Sequence, residues 1–167
     1  LATALLATAC FAQGGPSFWT SASPATSPIP RYVHKMAYDE ARQVTLLFGG
    51  LVNNNVAVDE TWQWDGRNWQ PISPATRPAA RHSHAMAYDV ARQKVVLFGG
   101  AVGANDLGDT WEWDGINWAQ RMPANQPSAR RYSAMVYDHA RQKVLLFGGA
   151  TGPTNLNGMW ERTLLFV

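Results

Sequence analysis

The chain has 167 residues, with 14 Lys and Arg against 12 Asp and Glu, a net charge of +2 and a charged share of 16%. So small and scattered a positive excess leaves out nucleic acid as a partner, because a nucleic-acid footprint gathers basic side chains on one face and the nearest cluster here is Arg130-Arg131. A single cysteine, Cys10, leaves out an intrachain disulfide framework and a cysteine-built metal cluster, and the chain carries no serine elbow, phosphate loop or metal motif.

In chain order, the first segment is Leu1–Ala12, an uncharged run of Leu, Ala and Thr. It reads as the apolar core and cleavage region of a secretory signal peptide. Ala7-Thr8-Ala9 supplies the small-x-small pattern and Cys10-Phe11-Ala12 a second, poorer one; Ala7-Thr8-Ala9-Cys10 faintly resembles a lipoprotein box, without the leucine usual three residues before the cysteine. The segment lacks an initiator Met, and no Lys or Arg precedes Arg31, so it is read as a partial signal. The competing reading is a short apolar arm packed on the domain. The run is too short to span a membrane, and export to the periplasm, cell surface or medium is the expectation.

Residues 13–30 read as a linker plus the last strand of a preceding unit, around Trp19. From there the chain repeats. Gly49-Gly50, Gly99-Gly100 and Gly148-Gly149 step by 50 and then 49 residues, each closing an apolar phrase: TLLFGG, VVLFGG, VLLFGG. Trp19, Trp69 and Trp118 precede Arg31, Arg81 and Arg130 by 12 residues, and those arginines precede Phe48, Phe98 and Phe147 by 17. Periods of this size mark stacked small sheets. The units are 31–80, 81–129 and a partial 130–167, whose end keeps only Trp160-Glu161 of the phrase Thr-Trp-Glu-Trp-Asp-Gly.

Each unit predicts four short antiparallel strands. The first runs from about His34 to Tyr38 and ends at Asp39, whose carboxylate can accept a backbone N–H two residues on. The second, Val44 to Phe48, is unbroken apolar sequence, as expected of a strand covered on both faces. The glycine pair then permits positive φ. Glu60 to Trp64 alternates polar and aromatic residues, a half-buried third strand. Asp65-Gly66 and Asp114-Gly115 are hairpin signals leading into a fourth strand at Trp69 and Trp118. The class is all-β.

The order of Arg, apolar strand, Gly-Gly, a Trp strand and then a further Trp resembles kelch repeats, from Trp19 to about Glu161. The resemblance implies four-stranded blades of a β-propeller, with Arg31, Arg81 and Arg130 as structural arginines and the first strands lining a central channel. Propellers close with about four to eight blades. About three are present, so the ring is incomplete, and the remaining blades of a longer chain or self-association are expected to complete it. The family also holds enzymes. Galactose oxidase-like propellers bind copper through two Tyr and two His with a Tyr cross-linked to Cys, but the one cysteine, Cys10, lies in the signal segment. Sialic acid epimerase-like propellers suit an exported setting, although no residue here identifies one.

The candidate chemistry is sparse. His34 and His84 hold equivalent positions, with Ser133 in the third unit, and no second ligand accompanies them at a metal-like spacing, so a structural hydrogen-bonding role is expected. Asp39, Asp89, Asp138, Asp65 and Asp114 recur at turns, which capping explains. Arg42, Arg92 and Arg141 are expected to pair with acids or carbonyls between blades. The one length difference between the full units falls after the glycines: 12 residues from Gly50 to Trp62 against 11 from Gly100 to Trp111. Insertions in repeat proteins map to loops on one face, often the binding face. That face gathers Asn53, Asn54, Asn55, Asn105, Asp106, Asn155 and Asn157, a weakly charged, amide-rich set suited to a protein or glycan ligand, or simply to turn geometry. The expectation is an exported, non-enzymatic scaffold with no cofactor; the alternative is part of a sugar-acting enzyme with its catalytic residues in absent blades.

Overall fold

Residues 18–163 are described by the structure, a computed structural model. The signal reading of 1–12, with Cys10, and the last four residues lie outside them. Among the described residues no helix is long and apolar enough to cross a membrane.

The strands are β1 (Lys35–Asp39), β2 (Val44–Phe48), β3 (Leu51–Val52), β4 (Val56–Ala57), β5 (Thr61–Trp64), β6 (Trp69–Ile72), β7 (Ala85–Asp89), β8 (Lys94–Phe98), β9 (Ala101–Val102), β10 (Asn105–Asp106), β11 (Thr110–Trp113), β12 (Trp118–Arg121), β13 (Ala134–Asp138), β14 (Lys143–Phe147), β15 (Ala150–Thr151), β16 (Thr154–Asn155) and β17 (Met159–Arg162). They form two four-stranded antiparallel meanders, β1-β2-β5-β6 and β7-β8-β11-β12, then a three-stranded sheet, β13-β14-β17. These are the three blades expected from the repeat, each in the same register: Leu47 opposite Trp62, Leu97 opposite Trp111, Leu146 opposite Trp160. The strand expected around Trp19 is not formed. Residues 18–30 carry no strand and Trp19 is fully exposed.

The unbroken apolar second strands follow from stacking. Side chains alternate faces along a strand, and in β8 Val95 and Leu97 turn back to the first blade while Val96 and Phe98 turn forward to the third. The backward set joins Met86, Tyr88, Trp111, Trp113 and Trp118 against Ala37, Leu46 and Phe48. The forward set joins Ala85 and Ala87 against Met135, Tyr137, Val144, Leu146 and Trp160. The second blade thus presents small residues of its first strand, Ala85 and Ala87, forward and receives larger ones, so the neighbours interdigitate. Stacking shows in equivalent positions: Met36 is 51% exposed and Met86 6%. Burying a side chain of that size contributes about 1.5–3 kcal/mol. The stack therefore keeps two open apolar faces, Met36 and Tyr38 at one end, Val136, Phe147 and Met159 at the other. The ring is not closed.

Turns obey the repeat as well. The Asp39, Asp89 and Asp138 carboxylates accept from the N–H of Arg42, Arg92 and Arg141 at 3.1, 3.2 and 3.0 Å, three residues on and not the two expected. The extra residue is accommodated because Gln43, Gln93 and Gln142 each adopt a left-handed φ of 53° to 56°. Arg42 also crosses to the next blade, donating to the Gln93 carbonyl at 3.2 Å and to the Asp114 carbonyl. The Pro-Ala link before each full blade clamps its outer hairpin: Ala25 N–H reaches Asn68 Oδ1 and Ala75 N–H reaches Asn117 Oδ1, both at 2.8 Å.

Candidate binding face at the loop end of the blades

The face is built outward from the glycine pairs. Gly100 N–H donates to the Arg130 carbonyl of the next blade at 2.9 Å, and its own carbonyl accepts from Leu107 N–H at 2.8 Å. Arg130 N–H returns to the Leu107 carbonyl at 2.9 Å. The same three bonds recur one blade earlier through Gly50, Arg81 and Val58 at 2.9, 3.1 and 3.3 Å. The second-to-third loop of each blade is therefore laced to the lead-in of the next, and both connections share one face, as the meander implies.

Beneath the loops lie the repeated arginines. Arg81, 1% exposed, donates Nε to the Ala79 carbonyl at 3.0 Å, Nη1 to the Gly99 carbonyl at 3.0 Å and a fork to the Asp109 carboxylate at 2.6 and 2.8 Å. Arg31 does likewise, reaching the Gly49 carbonyl at 3.1 Å and Glu60 at 2.5 Å. Burial alone would raise the Asp109 carboxyl; the Arg81 guanidinium and the Trp111 indole hold it below the usual carboxylate value. Both guanidiniums are thus held within their own blade by a glycine carbonyl and a carboxylate.

Above them each loop folds into a small hairpin, β3-β4, β9-β10 and β15-β16. The amides are distributed unevenly. Asn53, Asn54 and Asn55 make an exposed 3-10 turn, and Asn54 and Asn55 adopt φ of 59° and 60°, so turn geometry accounts for two of them. Asn55 also accepts from the Tyr32 hydroxyl. Asn105, Asn155 and Asn157 are exposed. Asp106 has a structural role: its carboxylate pairs with Arg131 and accepts from Gly152 N–H at 2.8 Å, tying the second loop to the third.

A second set on this face escaped the sequence reading. Val33, Ser83 and Tyr132 share one register position and all adopt left-handed φ, 50°, 56° and 62°. That conformation costs a β-branched residue about 1–2 kcal/mol. Ser83 N–H donates to the Val33 carbonyl at 2.9 Å and Tyr132 N–H to the Ser83 carbonyl at 2.8 Å, a hydrogen-bonded rim running from blade to blade. Tyr32 and Tyr132 stand exposed on it. The readable signal was that the two residues after each repeated arginine change completely (Tyr32-Val33, His82-Ser83, Arg131-Tyr132), whereas the Met-Ala-Tyr-Asp phrase that follows barely changes.

The histidines do not make a catalytic set. His84 is fully buried edge-on against Phe48, 5.7 Å between ring centres, and neither ring nitrogen has a hydrogen-bond partner among the described residues. The expected hydrogen-bonding role therefore fails for His84. Burial, reinforced by Arg81 and Lys35, pushes its pKa well down, and the ring is neutral. Among the described residues no group of three His, Cys, Asp or Glu converges as a metal would need.

Comparison with known proteins follows the geometry. Among curated proteins, none matches the chain in sequence. The solved structure of YjhT superimposes with a TM-score of 0.61 at 15% identity, covering 80% of this chain and 42% of that one. The chain thus spans less than half of that structure, and the likeness shows the fold. The family model for the KLHDC2/KLHL20/DRC7 Kelch-repeats domain matches residues 17–164. With that match covering nearly all of the three stacked sheets, the chain belongs to the kelch-repeat family.

Proposed function

We propose that this chain is part of an exported, non-enzymatic binding scaffold whose loop face takes a polypeptide or a glycan. One observation carries the reading. The only length change between the full repeats, and the complete change of side chains after the repeated arginines, fall on the same face, above a backbone whose hydrogen bonds do not vary. Exposed Tyr32, whose hydroxyl meets exposed Asn55, and exposed Tyr132 supply flat apolar area with hydrogen-bonding edges at low charge. Such a mix serves both ligand classes. The two open apolar faces suit further blades or a second copy, which leaves the loop face free for other partners.

Peptide and glycan arrays test it. The combined change Tyr32→Ser with Tyr132→Asn keeps a residue tolerant of left-handed φ at 132 and should lower binding to any spot held by the native chain at least tenfold. Ile116→Ser, on the outer Asp-Gly hairpin, should leave it unchanged. Loss with Ile116→Ser and retention with the loop-face change would overturn the proposal.

A further inference from the structure

We propose that the notch bounded by Arg130, Gly158 and the Trp160 indole is a binding site for a carboxylate. The site is defined by what the other two blades put there. Glu60 lies 29 residues after Arg31 and Asp109 lies 28 after Arg81; 28 after Arg130 stands Gly158. Both acids are clasped by the same two donors, the repeated arginine and the indole two residues on: Trp62 Nε1 to Glu60 at 2.9 Å and Trp111 Nε1 to Asp109 at 2.7 Å. In the third blade both donors remain and the carboxylate is gone. A Cβ at Gly158 would sit 3.1 Å from Trp160 Nε1 and 3.9 Å from Arg130 Nη1, so the vacated place lies between them.

The cation left behind is uncompensated. Arg130 is 4% exposed and, among the described residues, forms no salt bridge. Its Nε donates to the Ser128 carbonyl, Nη1 to the Gly148 carbonyl and Nη2 to Ser128 Oγ, each at 3.0 Å. Guanidinium carries five N–H donors, and the three used meet neutral oxygens. Burial lowers the Arg130 pKa with no acid to restore it. Leaving a buried charge unpaired is costly, and a planar two-oxygen anion fits the fork and indole as Asp109 does. Solvent reaches this place, because the carboxylates that fill it elsewhere are 41% and 22% exposed. The space of one side chain limits the ligand to a single carboxylate on a thin stem, acetate or the tip of an Asp or Glu. This site rests on the register of the repeat alone and stands whether or not the loop face binds a partner.

The test is the unfolding midpoint of the 167-residue chain in acetate, in N-acetyl-aspartate amide and in chloride at equal ionic strength. At about tenfold excess over Kd, either carboxylate should raise the midpoint about 3 °C above chloride. Response to acetate alone marks a small free anion, response to both any thin-stemmed carboxylate; either supports the site. Gly158→Asp, at a position whose φ suits an L-residue, should raise the midpoint without ligand and abolish the response. Gly158→Asn, alike in shape but neutral, should abolish the response without the gain. A native chain indifferent to both carboxylates, or a response that survives Gly158→Asp, overturns the proposal.

Discussion

Replacing Gly100 by alanine is expected to destabilise the chain by about 2–5 kcal/mol. About 1–2 kcal/mol comes from holding a non-glycine residue at the observed φ of 95°. The remainder is steric. The new Cβ would stand 2.6 Å from the His82 carbonyl oxygen and 2.8 Å from His84 Cβ, both on the strand lead-in that the loop must hydrogen-bond. Relieving such overlap moves backbone, at about 1–3 kcal/mol. Gly103→Ala is the control: its φ is 57°, yet nothing lies within 4 Å of the added carbon, so about 1 kcal/mol is expected. Denaturant unfolding of the two variants checks the contrast. Equal losses would show that conformation alone, and not the lacing between blades, makes the glycine necessary.

The second large effect separates two arginines in the same register. Arg81→Met removes a bidentate pair at 2.6 and 2.8 Å and leaves the Asp109 carboxylate with its Trp111 contact alone. Breaking a buried pair from one side costs about 3–5 kcal/mol; because Asp109 is 22% exposed and water can partly replace the guanidinium, the lower end is expected. Arg130→Met strands no acid. It leaves the Gly148 carbonyl with the Ser133 hydroxyl alone, at 3.2 Å, but also removes an uncompensated buried cation, so a loss of about 1 kcal/mol is expected. A difference of about 2 kcal/mol between the variants, read by the same unfolding experiment, is the expected result. Equal losses would mean that Asp109 contributes nothing through Arg81.

Much of this was legible in the sequence, because repetition displays a constraint several times over. Blade number, strand order, the arginine positions and the shared loop face all follow from the 50- and 49-residue steps between glycine pairs. What escaped depended on contacts between repeats. The loop hairpins are built from two-residue strands, too short for periodicity to reveal. Asp106 looked like one amide-rich loop residue among several, and only the approach of Arg131 from the next blade shows it to be a tie. His84 looked like a hydrogen-bonding residue because nothing local says that Phe48 of the preceding blade closes over it. Gly158 was the opposite case, fully readable once acids are counted from each arginine.

The central claim is that the loops leaving the glycine pairs are separable from the scaffold that holds them. The most direct measurement exchanges Leu51–Val58 for the shorter Ala101–Leu107 and follows thermal unfolding. Both segments close on the same backbone bonds, from Val58 N–H to the Gly50 carbonyl at 3.1 Å and from Leu107 N–H to the Gly100 carbonyl at 2.8 Å. The account predicts a single cooperative transition within about 4 °C of the native midpoint, the shift of about 1 kcal/mol in a domain of this size. Loss of the transition, or a fall well beyond that range, would contradict it and make the loops part of the scaffold.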